Sequence, residues 1–189
     1  MHALQHCDEL WCEDTRHTQQ LLNALKIDHR NGDGSHAILK RLDQHTSDAE
    51  IERMLERVQE RGQWIGVVTD AGTPGVSDPG AKIVEKLSQF PEVRIEPIAG
   101  VSAVSAMVSI AGFKENSFHF HGFFPRETKD AMELLASLQE GPHVFFESPK
   151  RIKECVSTLL QWSETLDFVP EFCFAKELTK LHETVYRGA

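Results

Sequence analysis

The 189-residue sequence contains no apolar run long enough to cross a bilayer, and its first residues, MHALQHCDEL, lack the basic start and greasy stretch of a secretory leader. Those absences point to a cytoplasmic protein. Cysteine is scarce: Cys7, Cys12, Cys155 and Cys173, without secretory features around them, read as reduced and buried thiols rather than a disulfide framework. Positive charge is short as well, with 20 Lys+Arg against 29 Asp+Glu and a formal net charge of -9. The surface as a whole therefore repels a polyanion, and any nucleic-acid contact needs a local basic patch. Neither the G-x-G-x-x-G spacing nor the G-K-[ST] ending of a phosphate-binding loop occurs, which disfavours dinucleotide and triphosphate ligands. No internal repeat or low-complexity tract is present. What remains is a 40% hydrophobic composition, enough for an ordinary core in one large domain or two small ones.

The apolar residues alternate between strand-like and helix-like spacing. LWCE (10–13) reads as a strand, after which Asp14 caps a helix carrying Leu21, Leu22 and Leu25. RNGDGSH (30–36) reads as loop. Ser47 and Glu50 make a capping box before Ile51, Met54, Leu55 and Val58, one helical face ended by Gly62. WIGVV (64–68) is a continuous β-rich run, as in a strand covered on both faces. A helix with Ile83, Val84 and Leu87, the strand VRIEPI (93–98) and a helix of small residues, VSAVSAMVSIAG (101–112), follow. Strand, loop and helix repeated in this way predict a parallel α/β sheet. A second α/β unit is expected after a boundary in KENS, giving domains 1–114 and 115–189. Its elements are the strand SFHFHGFF, a helix with Met132, Leu134, Leu135 and Leu138 stopped by Gly141, and the strand HVFFE. A helix begun by Ser148-Pro149, carrying Ile152, Cys155, Val156 and Leu159, then leads to closing strands FCFAKE and ETVYRG. Both ends read as cut, since the chain enters the first domain at a strand with no strand and loop before it and stops just after another.

TDAGTPGVSDPG (69–80) is the most specified stretch. It leaves the carboxyl end of WIGVV, where parallel sheets bind ligands and helix N-termini turn free N–H groups outward. Asp78 is placed to cap and Pro79 suits a first helical position, while Gly72, Gly75 and Gly80 let backbone approach a ligand that a Cβ would obstruct. A tight βα turn with a good cap and no ligand accounts for the same residues equally well. Two aspartates beside the turn discourage phosphate and suit a cationic or zwitterionic molecule.

EDTRHT (13–18), DAGTPGVSDPG (70–80), AGVSAVSA (99–106), GFFP (122–125), FFESPKR (145–151) and KELTKLHE (176–183) occur in this order over nearly the whole chain. Together they resemble the small-subunit ribosomal RNA 2'-O-methyltransferases of the tetrapyrrole methylase superfamily. The resemblance implies two α/β domains, the second with a mixed sheet, and S-adenosylmethionine bound in the cleft between them. It implies methylation of a cytidine ribose in the 16S rRNA of the small ribosomal subunit, by a homodimer. Carried onto this chain, Asp70, Ala71, Gly72, Thr73 and Pro74, the turn Ser77, Asp78, Pro79 and Gly80, and Ser102 and Ala103 line the cofactor. Glu177, Leu178 and Thr179 close over it. The porphyrin-ring methylases share that fold and cofactor and are the enzymatic alternative; a catalytically impaired cofactor-binding fragment is the other. The family's proline-glycine-rich first strand and loop, and the segment after ETVYRG, have no counterpart here. Ala99 stands where a proline is usual, and Lys176 where an arginine is common, keeping charge but losing bidentate geometry.

A ribose hydroxyl is a weak nucleophile until it loses its proton, so a base is sought among Glu13, Asp14, His17 and Glu177. Asp14 reads as a helix cap ahead of that role. Arg16, Arg126, Lys129, Lys150 and Arg151 are candidates for RNA phosphate, each equally readable as a solvated helix or loop charge. No metal is expected: His6, Cys7, Cys12 and His17 have the spacing H-C-x4-C-x4-H, unlike compact zinc sites. His119 and His121 point to one side of a strand and read as a satisfied pair.

Overall fold

Leu10, Trp11 and Cys12 are fully buried although they are consecutive, which requires a strand covered on both faces. The computed structural model of the chain describes residues 2–27, 38–43 and 45–188, so the expected loop at 30–36 lies outside the described residues. The chain divides into two compact units, 1–100 and 101–189; the boundary expected within 114–117 falls later in the chain.

In the first unit, β1 (Glu9–Cys12) lies between β2 (Ile38–Arg41) and β3 (Ile65–Val68), parallel to both. The register pairs Leu10 with Leu39 and Gly66, and Cys12 with Val68. Alternation along the strands then fills two cores. One holds Cys7, Leu10, Leu22 and Ile27, with Leu4, Leu39 and Val68, beneath helices α1 (His2–His6) and α2 (Thr15–Ala24). The other joins Trp11, Ile65 and Val67 to Ile51, Met54 and Leu55 of α3 (Asp48–Arg61) and Ile83 of α4 (Gly80–Leu87). The expected capping box is present at Ser47 and Glu50, and Gly62 ends α3 in the left-handed region at φ 59°.

VRIEPI forms no strand. Among the described residues nothing pairs with the outer edge of β3, and without a ladder partner a β-rich sequence has no other means of satisfying its backbone than water. Ile95 and Ile98 are accordingly exposed.

The second unit begins with α5 (Ala103–Ala111), closed by Gly112 at φ 89°. β4 (His119–Phe123) and β5 (His143–Phe146) pair in parallel, with a register shift between Phe120 and Phe123. Phe124, Ala131 and Leu135 pack with Cys155 between α6 (Thr128–Ala136) and α7 (Ile152–Ser163). Helix α6 stops before Leu138, whose side chain still joins that core. Helix α7 starts three residues beyond the expected Ser148-Pro149 signal: Ser148 instead closes a turn, its carbonyl accepting from Arg151 N–H at 2.9 Å and its hydroxyl from Lys150 N–H at 3.3 Å. β6 (Phe172–Lys176) and β7 (Thr184–Gly188) form an antiparallel hairpin, so parallel and antiparallel pairing occur in separate sheets. Arg187 donates to the Ile110 carbonyl at 2.6 Å and ties that hairpin to α5. The four cysteines are unpaired; Cys173 is only half-buried. No described helix is long and apolar enough to cross a membrane.

Two features of these cores yield measurable consequences. Glu9 is 3% exposed, accepts from Trp11 Nε1 at 3.0 Å and pairs with Arg57 at 3.3 Å. Arg57→Met leaves that carboxylate buried without its cation and is expected to cost roughly 3 kcal/mol in urea denaturation; a loss below about 0.5 kcal/mol would show the pair to be dispensable. On β4, His121 Nε2 lies 2.8 Å from His143 Nδ1, and His143 Nε2 donates to the Gln139 carbonyl at 2.8 Å. Burial first, then the neighbouring His143 and His119, hold the His121 pKa below its ordinary 6.5. The unfolded chain therefore binds the proton more readily, and the stability contributed by neutral His121 is complete above about pH 6.5 and lost as pH falls toward the lower folded value. His121→Phe should flatten this acid-side decline in melting temperature, whereas an unchanged slope contradicts the assignment.

Candidate functional site at the carboxyl ends of β1 and β3

Because Cys12 and Val68 are register partners, the residues that follow them emerge side by side. Glu13 accepts the backbone N–H of Asp70 at 3.0 Å, across 57 residues of sequence. His17, in the first turn of α2, places Nδ1 2.8 Å from Asp70 Oδ2. The Asp70 hydrogen bond, then the charges of Asp70 and Asp14, raise the His17 pKa.

Asp14 is the cap expected for α2. Its Oδ1 accepts the Arg16 N–H at 2.8 Å, and both carboxylate oxygens are forked by the Arg16 guanidinium at 3.1 and 2.6 Å. That side chain holds the Asp14 carboxyl well below the usual carboxylate range.

The glycine-rich loop is open to solvent over most of its length. Gly72 and Gly75 take φ of 77° and 85°, and Ser77, a non-glycine, takes 60°. Asp78 organises the turn: its Oδ1 accepts from Gly75 N–H at 2.8 Å and Gly80 N–H at 2.7 Å, the second being the first residue of α4. A Cβ at Gly80 would sit 2.8 Å from that same oxygen and 3.2 Å from the Gly75 backbone nitrogen, so a side chain there would have to displace the Asp78 carboxylate that holds the turn. A Cβ at Gly72 would meet nothing within 4 Å, which leaves open space over the turn. Asp78 Oδ2 is buried with no hydrogen-bond partner. An orphaned buried carboxylate oxygen is completed by a group that brings a donor or positive charge, and α4 starts from Pro79, the next residue. Asp70, Ala71, Thr73 and Pro74 complete this loop.

The second unit carries the other expected residues on separate features. Ser102 caps α5 through its carbonyl, which accepts from Ala106 N–H at 2.9 Å, with Ala103 next in the helix. Glu177, Leu178 and Thr179 form the turn after β6, where Glu177 and Thr179 sit at φ 51° and 65°. Left-handed non-glycine residues each cost on the order of 1–3 kcal/mol and persist when surroundings hold them. Here Glu183 accepts the Thr179 N–H at 2.6 Å.

The basic residues do not behave alike. Arg126 and Lys150 are exposed, and Lys129 lies 3.7 Å from Glu133. Arg151 turns inward: it donates to the carbonyls of Pro125 at 3.0 Å and Arg126 at 3.3 Å and pairs with Glu147 at 3.2 Å. Its donors hold the GFFPR segment to the ESPKR turn, and so present Arg126 and Lys150. Among the described residues no three His, Cys, Asp or Glu side chains are placed to hold a metal ion. The Glu13–Asp70–His17 connection was not legible from spacing, since its members lie 53 and 57 residues apart. The signal available was the parallel pairing of the strands that precede them.

The sequence pattern described as tetrapyrrole (corrin/porphyrin) methylases matches residues 1–189. The chain is 34% identical to the ribosomal RNA small subunit methyltransferase I of Xylella fastidiosa, covering 99% of this chain and 64% of that protein. It is 35% identical to the Thermotoga maritima protein of the same name, covering 98% of this chain and 78% of the relative. To the Escherichia coli O157:H7 protein it is 31% identical over 98% of the chain and 61% of the relative. The chain thus spans about three fifths to four fifths of these relatives' lengths.

Asp78→Ala deprives two loop N–H groups of their acceptor, Gly75 and Gly80, and is expected to cost roughly 1–3 kcal/mol in urea denaturation. Asp78→Asn, which keeps an accepting oxygen, should recover most of it; equal losses in both variants would contradict the hydrogen-bonding role.

Proposed function

The chain belongs to the tetrapyrrole (corrin/porphyrin) methylase family, and from that premise we propose that it transfers a methyl group from S-adenosylmethionine to the 2'-oxygen of a cytidine ribose in 16S ribosomal RNA of the small subunit. The observation that carries this reading is the open glycine turn with its orphaned Asp78 oxygen, set beside the acid–histidine cluster at the ends of β1 and β3. Relatives named for small-subunit rRNA methylation support the substrate.

S-adenosylmethionine, when bound, supplies an electrophilic methyl carbon on a sulfonium. What remains for the protein is to hold the donor, bring the hydroxyl into line, exclude water and receive a proton; positioning of this kind can provide about 7–11 kcal/mol of the barrier reduction. The main chain of Asp70 to Pro74 and of Ser77 to Gly80 is the holding surface, with Asp78 Oδ2 and the Asp70 carboxylate offering negative charge toward a cation. For Ser102, Ala103, Leu178 and Thr179 as cofactor contacts the support is the motif match alone. Arg126, Lys129 and Lys150 supply the local basic patch that a chain of net charge -9 needs to engage RNA phosphate. A cytoplasmic homodimer completes the reading on the resemblance alone.

Incubation of the purified chain with small ribosomal subunits and labelled S-adenosylmethionine tests it. The expected product is 2'-O-methylcytidine in 16S rRNA, and replacing Arg126 and Lys150 together by glutamine should raise KM for the subunit with little change in kcat. Cofactor binding by calorimetry without transfer at high protein concentration would leave only a cofactor-binding fragment. Absence of both would overturn the proposal.

A further inference from the structure

Four carboxylates and imidazoles were open as the base for this reaction, and their surroundings now separate them. Both Asp14 oxygens are forked by Arg16. Glu13 uses its carboxylate to fix the Asp70 backbone. Glu177 lies in a left-handed turn of the other unit. His17 has an acceptor at one ring nitrogen and, among the described residues, no hydrogen-bond partner at the other, on a side chain 62% exposed.

We infer that His17, aligned by Asp70, is the proton acceptor of the methyl transfer, an assignment that rests on the reading of the chain as an RNA 2'-O-methyltransferase. An ionised carboxylate only accepts hydrogen bonds, so a neutral imidazole facing Asp70 Oδ2 at 2.8 Å carries its hydrogen on Nδ1. Its lone pair is then on Nε2, facing solvent. Asp70 in turn is held by Glu13 through its backbone N–H at 3.0 Å, which gives the dyad a fixed orienting group, the same division of labour that a carboxylate and imidazole show in hydrolytic triads.

The step balances simply. His17 Nε2 takes the 2'-hydroxyl proton as the ribose oxygen bonds to the methyl carbon, whose bond to sulfur breaks with its electron pair left on sulfur. The neutral imidazole becomes imidazolium, and the sulfonium charge is gone. The proton then passes to water. Asp70 stabilises that imidazolium, so it is a positioning residue and also sets the pH range. The charged groups around His17 are Asp70 from the β3–α4 loop and Asp14 and Arg16 from its own helix start, with Glu13 behind Asp70; the two aspartates raise its pKa, and desolvation and then Arg16 oppose them. Only neutral His17 accepts the proton, so kcat should rise with pH through a midpoint above the ordinary histidine value of about 6.5.

Nuclear magnetic resonance of the imidazole nitrogens in the full chain, without cofactor, gives a direct readout. His17 is expected to be protonated at Nδ1 when neutral and to titrate above about 6.5, and Asp70→Asn should bring that midpoint down. A neutral His17 protonated at Nε2, or a midpoint unmoved in Asp70→Asn, overturns the inference whether or not the chain is active. With small subunits as substrate, His17→Asn should lower kcat about 10²–10⁴-fold, with S-adenosylmethionine affinity by calorimetry unchanged. Added imidazole should restore part of the rate in His17→Gly. A His17→Asn rate within several-fold of the unaltered chain also overturns the inference while leaving the methyltransferase reading intact; an inactive unaltered chain overturns the methyltransferase reading, and the assignment of His17 as its base with it.

Discussion

The parallel pairing of β1 with β3 is the constraint from which the site follows. It sets Cys12 against Val68, so that Glu13, His17 and Asp70, each within five residues of one of those two positions, come together. Were the register one residue different, Trp11 and Leu10 would exchange faces and both cores would be lost, since strand side chains alternate with a period of two. Core packing therefore fixes the register, and the register fixes the meeting of Glu13, His17 and Asp70. The site inherits its precision from hydrophobic burial beneath it rather than from its own exposed hydrogen bonds, which in isolation contribute little.

A second layer of order comes from carboxylates used as backbone acceptors. Asp14 at α2, Glu50 at α3, Asp78 at the glycine turn and Glu183 at the β6–β7 turn each take N–H groups that have no partner in a helix or sheet. This is one physical use for an excess of acidic residues in a chain read as an RNA enzyme. Negative charge is employed locally to hold turns, while Arg126 and Lys150 of the second unit stay exposed.

Legibility in the sequence followed the range of the interactions involved. Caps and stops act over three or four residues, and the signals at Asp14, Ser47, Glu50 and Gly62 correspond to the structure. The glycine turn was legible for the same reason, because positive φ and close approach select glycine locally. VRIEPI failed because strand formation needs a neighbour that propensity does not supply. Ser148-Pro149 carries a helix-start signal that the turn to Arg151 consumed. Arg151 reads from sequence as either a phosphate ligand or a solvated helix charge, yet its guanidinium holds carbonyls 25 and 26 residues away, and His143 joins His121 only through the β4–β5 register. The Ser148 turn is local and competes with the helix start over the same few residues, whereas VRIEPI, Arg151 and His143 are decided by tertiary pairing, which one sequence does not display. The order of the six motifs compensated by pointing to a family directly.

The most direct measurement of whether the glycine turn holds the methyl donor is amide resonance mapping of the whole chain during titration with S-adenosylmethionine. Saturable shifts at Ala71, Gly72, Thr73, Gly75 and Gly80, reduced in Asp78→Ala, are expected. Saturable shifts elsewhere with this turn unmoved, or no saturable change at all, would contradict the account.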